Sequence, residues 1–117
     1  MQRYRSHTTK EPIGFIYIMT NISRTTLYIG VTRNLKIRVN EHRESKNPDS
    51  FTSKYNCVHF IYYEYYNFLT EAIAREKQLK NWKRAWKDEL IAKQNPKLKD
   101  LYADLISGEL GSDDLYY

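Results

Sequence analysis

The chain has 117 residues, 19 Lys and Arg against 14 Asp and Glu, a net charge of +5, 41% apolar residues and a single cysteine. This predicts one domain spanning residues 1–117 and excludes a disulfide framework or a cysteine-rich zinc site, because Cys57 has no second thiol to join. The polar start, MQRYRSHTTKEP, lacks the apolar stretch of a secretory signal, and no run approaches the ~20 apolar residues of a membrane span; a cytoplasmic protein without a membrane partner is expected.

In chain order, residues 14–20 (GFIYIMT) and 26–31 (TLYIGV) are short, β-branched and aromatic, and the polar loop between them predicts a hairpin. From Asn34 the period changes: Leu35, Val39 and His42 recur at four and three residues, with Asn34 or Thr32 available as the cap. That helix should fade near Lys46, Asn47 and Pro48. Residues 58–66 (VHFIYYEYY) predict the third strand. Residues 70–81 return to helical spacing through Leu69, Ala72, Ile73, Glu76 and Leu79. A further helix over 82–93 should end before Asn95 and Pro96, since the residue preceding proline avoids the α region. A last amphipathic piece, 98–110, is bounded by Gly108 and Gly111. The order β-β-α-β-α-α-α predicts an α+β domain, a small three-stranded, mostly antiparallel sheet flanked by helices. Its core is expected over 14–102, with a polar extension over 1–12 and an acidic tail over 103–117.

Charge is unevenly spread, at +4 over residues 1–74, +6 over 75–99 and −5 over 100–117. A concentrated basic segment is the footprint of a protein that meets phosphate, because Lys and Arg displace counterions condensed on nucleic acid. A solvated helix face would carry the same residues.

Several side chains sit where packing alone does not require them. Glu76 falls on the apolar stripe between Ile73 and Leu79, where a carboxylate must be paired or bind a cation; Lys80, four residues on, is a simple salt-bridge partner. Arg38 and His42 lie one helical turn apart beside Leu35 and Val39. They offer a bidentate phosphate donor and a proton carrier, or an ordinary helix-surface pair. Tyr17 and Tyr28 are expected near each other across the hairpin, and Gly30 leaves room for a backbone or ligand to approach; paired strand tyrosines also serve as core. Trp82 and Trp86 at i and i+4 are either anchors of a helix pair or a stacking platform for unpaired bases. Tyr62, Tyr63, Tyr65 and Tyr66 should divide by strand alternation into a buried and an exposed face.

Taken together, Phe15-Ile16-Tyr17 and Tyr28-Ile29-Gly30, followed by Arg38 and His42 and then by Glu76, resemble the GIY-YIG endonuclease superfamily. The segments LYIGVTRNLKIRVNEHR and REKQLKNWKRAWKDELIAKQNPKLKDLY are similar to its small single-domain bacterial members, which are like the N-terminal domain of the UvrC excinuclease. The likeness covers residues 14 to about 102. Two positions depart from the family's pattern. Phe15 stands where the first motif begins with Gly, and Asn95, the candidate for the family's Asn, lies further from Glu76 than in the repair nucleases.

The resemblance implies a metal-dependent endonuclease that hydrolyses phosphodiesters of nucleic acid, with DNA as the expected substrate, in repair or processing of DNA structures. It gives Glu76 the divalent cation, Mg²⁺ or Mn²⁺. It gives Tyr28, or Tyr17 with it, the water and its proton, Arg38 the phosphoryl charge, and His42 the orientation of a tyrosine or a phosphate contact. Asn95 would close the site. Lys77, Lys80, Lys83, Arg84 and Lys87 become a backbone-binding surface without sequence readout. A monomer or weak homodimer is expected. A nucleic-acid-binding module that keeps the fold but not the catalysis is the alternative.

Overall fold

The computed structural model describes residues 11–110, so most of the polar extension and residues 111–117 of the acidic tail lie outside the described residues. Three strands, β1 (Gly14–Thr20), β2 (Leu27–Thr32) and β3 (His59–Tyr66), form an antiparallel sheet in the order β2-β1-β3. Five helices accompany them: α1 (Leu35–Arg43), α2 (Phe51–Lys54), α3 (Leu69–Lys80), α4 (Arg84–Gln94) and α5 (Tyr102–Ser107). The expected α+β class and three-stranded sheet are present. The four-residue α2 is additional, so the order is β-β-α-α-β-α-α-α, and the last two helices are shorter than the periodicity suggested.

All of β1 is buried, because helices cover both faces of the sheet. Phe15, Tyr17 and Met19 pack with Leu35, Val39, Leu101 and Leu105 on the side of α1 and α5. Ile16 and Ile18 point the other way, toward Ile61, Leu79 and Ile91 beneath α3 and α4. Alternation therefore does not sort the β3 tyrosines into a dry and a wet face. Tyr62 and Tyr63, on opposite faces, are both buried, while Tyr65 and Tyr66 are half-buried near the strand end.

The helix α3 presses on β1 closely enough that a Cβ on Gly14 would stand 2.9 Å from the Ala72 Cβ and from the Leu69 backbone. The outer edge of β3 is laced by the segment after α4. Gln94 exchanges two side-chain hydrogen bonds with the Tyr63 backbone, the Leu101 amide donates to Phe60 O at 2.7 Å, and Asp100 accepts from the Phe60 amide. Covering that edge removes an exposed pairing template. Pro96 follows the end of α4, and Gly108, at φ 81°, supplies the left-handed cap of α5. Among the described residues, no helix is long and apolar enough to cross a membrane.

Candidate active site

The hairpin and α1 bring four of the expected residues together. Tyr17 on β1 pairs in register with Gly30 on β2, and Tyr28 pairs with Met19. A Cβ at Gly30 would lie 2.4 Å from both Cζ and Oη of Tyr17. The space left by this glycine is therefore filled by the Tyr17 ring and is not open for a ligand, contrary to the expectation from sequence. Asn34 caps α1 by accepting from the Ile37 amide, which orients the helix so that Leu35, Val39 and His42 face the sheet.

His42, 5% exposed, meets the hydroxyl of Tyr17, 1% exposed, through Nε2 at 2.8 Å. The rings of Tyr17, Tyr28 and His42 form a triangle, with centroids 5.4 to 6.1 Å apart. Burial raises the Tyr17 phenol well above its ordinary value; the neighbouring Tyr28 adds to this, and the Arg38 guanidinium pulls the other way. Burial, and then the Arg38 charge, push His42 down to about 4, so the imidazole is neutral at pH 7. Arg38 is held at 2.9 Å by Glu41 on its own helix, an ion pair that leaves the guanidinium partly open to solvent.

Glu76 projects from α3 with its side chain 22% exposed, and Lys80 lies 3.1 Å from its Oε2. The partial burial expected for this carboxylate is present, and so is its bland i, i+4 partner. The apolar stripe differs from the expected one: the buried residues of α3 are Ala72 and Leu79, and Ile73 is exposed. Lys80 and Lys87 line a groove of about 270 Å³ along the β2 edge together with Tyr28 and Phe51. Lys80 thus connects Glu76 to the groove that Tyr28 lines. Among the described residues no three His, Cys, Asp or Glu side chains gather as a metal cluster. A Mg²⁺ ion needs only one or two protein carboxylates, its other ligands being water and substrate phosphate, so a single half-buried glutamate such as Glu76 fits that ion.

Two expected residues have other partners. The Asn95 amide donates to Ile61 O at 3.0 Å and to Lys99 O at 2.8 Å and accepts from the Lys99 amide, so it ties the turn after α4 to β3. Arg84 donates to the carbonyls of Arg24 and Thr25 and to Asp88, clamping α4 onto the β1–β2 loop. Lys77 and Lys83 are exposed, with the Lys83 ammonium over the Trp86 ring. Trp82 is half-buried against the α3–α4 core, whereas Trp86 is 49% exposed; the two meet edge to face.

Sequence reasoning missed Thr52. It is 1% exposed, and its Oγ1 lies 2.8 Å from His42 Nδ1, opposite the tyrosine. The signal was present in Ser50-Phe51-Thr52-Ser53, where Ser50 caps a helical turn by accepting from the Ser53 amide. A single turn carries too little periodicity to be read. A second unforeseen feature is Glu64, which accepts from Tyr62, Tyr66 and both Nε and Nη2 of Arg75. Burial raises its carboxyl, but these hydrogen bonds outweigh it and hold the group below the ordinary carboxylate range.

Compared with known proteins, residues 13–89 match the family model described as the GIY-YIG catalytic domain. A UPF0213 protein of Syntrophus aciditrophicus (strain SB) is 36% identical over 83 residues, which is 71% of this chain and 93% of the relative. A UPF0213 protein of Staphylococcus aureus strain Mu3 is 32% identical over 77 residues, 66% of this chain and 92% of the relative. No solved structure gives a significant match.

Proposed function

The chain belongs to the GIY-YIG family, and from that membership we propose that it is a metal-dependent endonuclease hydrolysing phosphodiesters of DNA in repair or processing of DNA structures. The observation that carries the reading is the convergence of Tyr17, Tyr28, Arg38 and His42, with Tyr28 lining a groove that it shares with Lys80 and Lys87.

Hydrolysis of a phosphodiester requires a water that loses its proton, a phosphorus relieved of surrounding negative charge, and a leaving oxygen that can accept electrons. Glu76 is the residue to hold a divalent cation, which when bound supplies charge neutralisation at the phosphate. The Tyr28 and Tyr17 hydroxyls, one half-buried and one buried, orient the water at the β2 edge. Arg38, partly exposed and fixed by Glu41, presents planar donors to the phosphoryl oxygens and stabilises the charge that builds there. Neutral His42 receives the Tyr17 hydroxyl without adding positive charge of its own. Lys80 and Lys87 line the groove where a phosphate backbone passes, and contribute affinity rather than sequence choice.

Purified protein incubated with supercoiled, linear, single-stranded and branched DNA in Mg²⁺, Mn²⁺ or EDTA tests this. Metal-dependent cleavage is expected, abolished by EDTA and reduced about 100-fold or more by Glu76→Gln and by Arg38→Met, the range seen when a charge-stabilising group is removed. DNA binding without cleavage in either metal refutes the nuclease reading and supports a binding module that keeps the fold.

A further inference from the structure

A line of hydrogen bonds continues past the tyrosine and histidine to the α2 turn. Tyr17 Oη lies 2.8 Å from His42 Nε2, His42 Nδ1 lies 2.8 Å from Thr52 Oγ1, and Thr52 Oγ1 lies 3.1 Å from Ser50 Oγ. The first three groups are almost fully buried, while Ser50 is half-buried. Ser50, Thr52 and His42 line a polar pocket of about 200 Å³ whose wall also includes Arg38, Glu41 and Lys46. The chain of donors therefore starts at the Tyr17 hydroxyl on β1 and ends in this pocket. We propose that Thr52 and Ser50 are positioning residues that complete a proton exit from Tyr17 through His42 to this pocket. This rests on the nuclease reading above.

The reason for such a route lies in the two groups at its head. A buried phenol whose ionisation is disfavoured cannot wait as a phenolate, and a buried imidazole that resists protonation cannot wait as an imidazolium. Each can pass a proton only if it gains one as it loses one. The starting arrangement has Tyr17 donating to Nε2, Nδ1–H donating to Thr52, and the Thr52 hydroxyl donating to Ser50.

As the water oxygen forms its bond to phosphorus, its proton moves to Tyr17 Oη. The phenolic proton moves to Nε2, the Nδ1 proton to Thr52 Oγ1, the Thr52 proton to Ser50 Oγ, and the Ser50 proton to water in the pocket. The P–O bond to the leaving oxygen breaks with its electron pair, and that oxygen is protonated from solvent. No protein group has changed charge, and His42 is left as the opposite tautomer, with Nε2–H facing Tyr17. After product release the relay resets as water in the pocket returns a proton to Ser50, each group passes one inward, and Tyr17 releases one to water at the reacting site, which restores the first arrangement. Thr52 is essential to this because only a hydroxyl can accept on one side and donate on the other. The α2 turn, capped by Ser50, holds that hydroxyl under the ring.

The test compares wild type, Thr52→Val, Thr52→Ser and Ser50→Ala in DNA cleavage, with rates also measured across H₂O–D₂O mixtures and the His42 ring followed by ¹⁵N NMR. Thr52→Val keeps the shape of the side chain and removes the hydroxyl. It is expected to lower kcat about 100-fold at unchanged KM, to straighten the curved dependence of rate on deuterium fraction that several moving protons produce, and to shift the His42 tautomer signals. Thr52→Ser should restore all three. Ser50→Ala should fall between, since water in the pocket can stand in for its hydroxyl. An active wild type together with a Thr52→Val protein of equal kcat and equal isotope curvature overturns the proton exit while leaving the nuclease reading intact. A wild type that binds DNA and cuts none refutes both.

Discussion

Replacing Gly30 by alanine puts one methyl group where the Tyr17 ring already is. The new Cβ would stand 2.4 Å from Cζ and from Oη and 2.8 Å from Cε1, about 1 Å inside the ~3.5 Å at which carbon atoms rest against each other. The ring has little freedom to withdraw. Tyr17 is fully enclosed on β1, the sheet's central strand, and its hydroxyl is held by His42 at 2.8 Å. Overpacking of a tight core costs about 1–3 kcal/mol, and loss of the tyrosine–histidine hydrogen bond adds roughly 1 kcal/mol. Gly30→Ala should therefore destabilise the domain by about 3 kcal/mol, equivalent to a Tm lowered by roughly 10–15 °C for a chain of this size.

Urea unfolding followed by circular dichroism measures the change directly. The double variant Gly30→Ala with Tyr17→Leu isolates its origin, because leucine lacks the atoms that collide; the pair should be less destabilised than the sum of the two single variants by at least ~1 kcal/mol. A Gly30→Ala protein within about 0.5 kcal/mol of wild type, or strict additivity in the double variant, refutes the claim that this glycine exists to admit the Tyr17 ring.

Other perturbations have equally definite outcomes. An unfolded histidine takes up a proton near pH ~6.5 and folded His42 only near about 4, so between these values the unfolded chain binds the extra proton. Stability from this site is full above about pH 6.5 and is lost as pH falls toward about 4; unfolding titrations should show a shallower loss over that interval in His42→Gln. Arg75→Met leaves the buried Glu64 carboxylate without its cation and should cost about 3 kcal/mol in chemical denaturation, much of it recovered when Glu64→Gln is added. Lys80→Ala and Lys87→Ala should each reduce the slope of log affinity against log salt for DNA by about 1. Arg84→Ala should instead show its main effect as about 1 kcal/mol of lost stability, because its donors are committed to the loop carbonyls and Asp88. Fluorescence-monitored unfolding should find Trp86→Ala within about 0.5 kcal/mol of wild type and Trp82→Ala clearly worse, following their difference in burial.

By itself the sequence determined most of the elements and the family. Long β-branched and aromatic runs define the strands, three- and four-residue spacing defines α1 and α3, and the spacing of Tyr17, Tyr28, Arg38, His42 and Glu76 carries the resemblance to the family. These are local signals, set by backbone periodicity and side-chain type. Only the tertiary structure decided what each polar group faces. Two helical layers bury both sides of β3, so alternation no longer separates the tyrosines. The lacing of the β3 edge consumes the Asn95 amide, and the docking of α4 on the hairpin loop consumes Arg84. Gly30 gains its meaning from a ring thirteen positions earlier in the chain, and Thr52 from a histidine ten positions earlier. A hydrogen-bond partner fixed by packing has no period along the chain, so charge and spacing can place a residue on an element but cannot say whether its donors meet water, a phosphate or a neighbouring carbonyl.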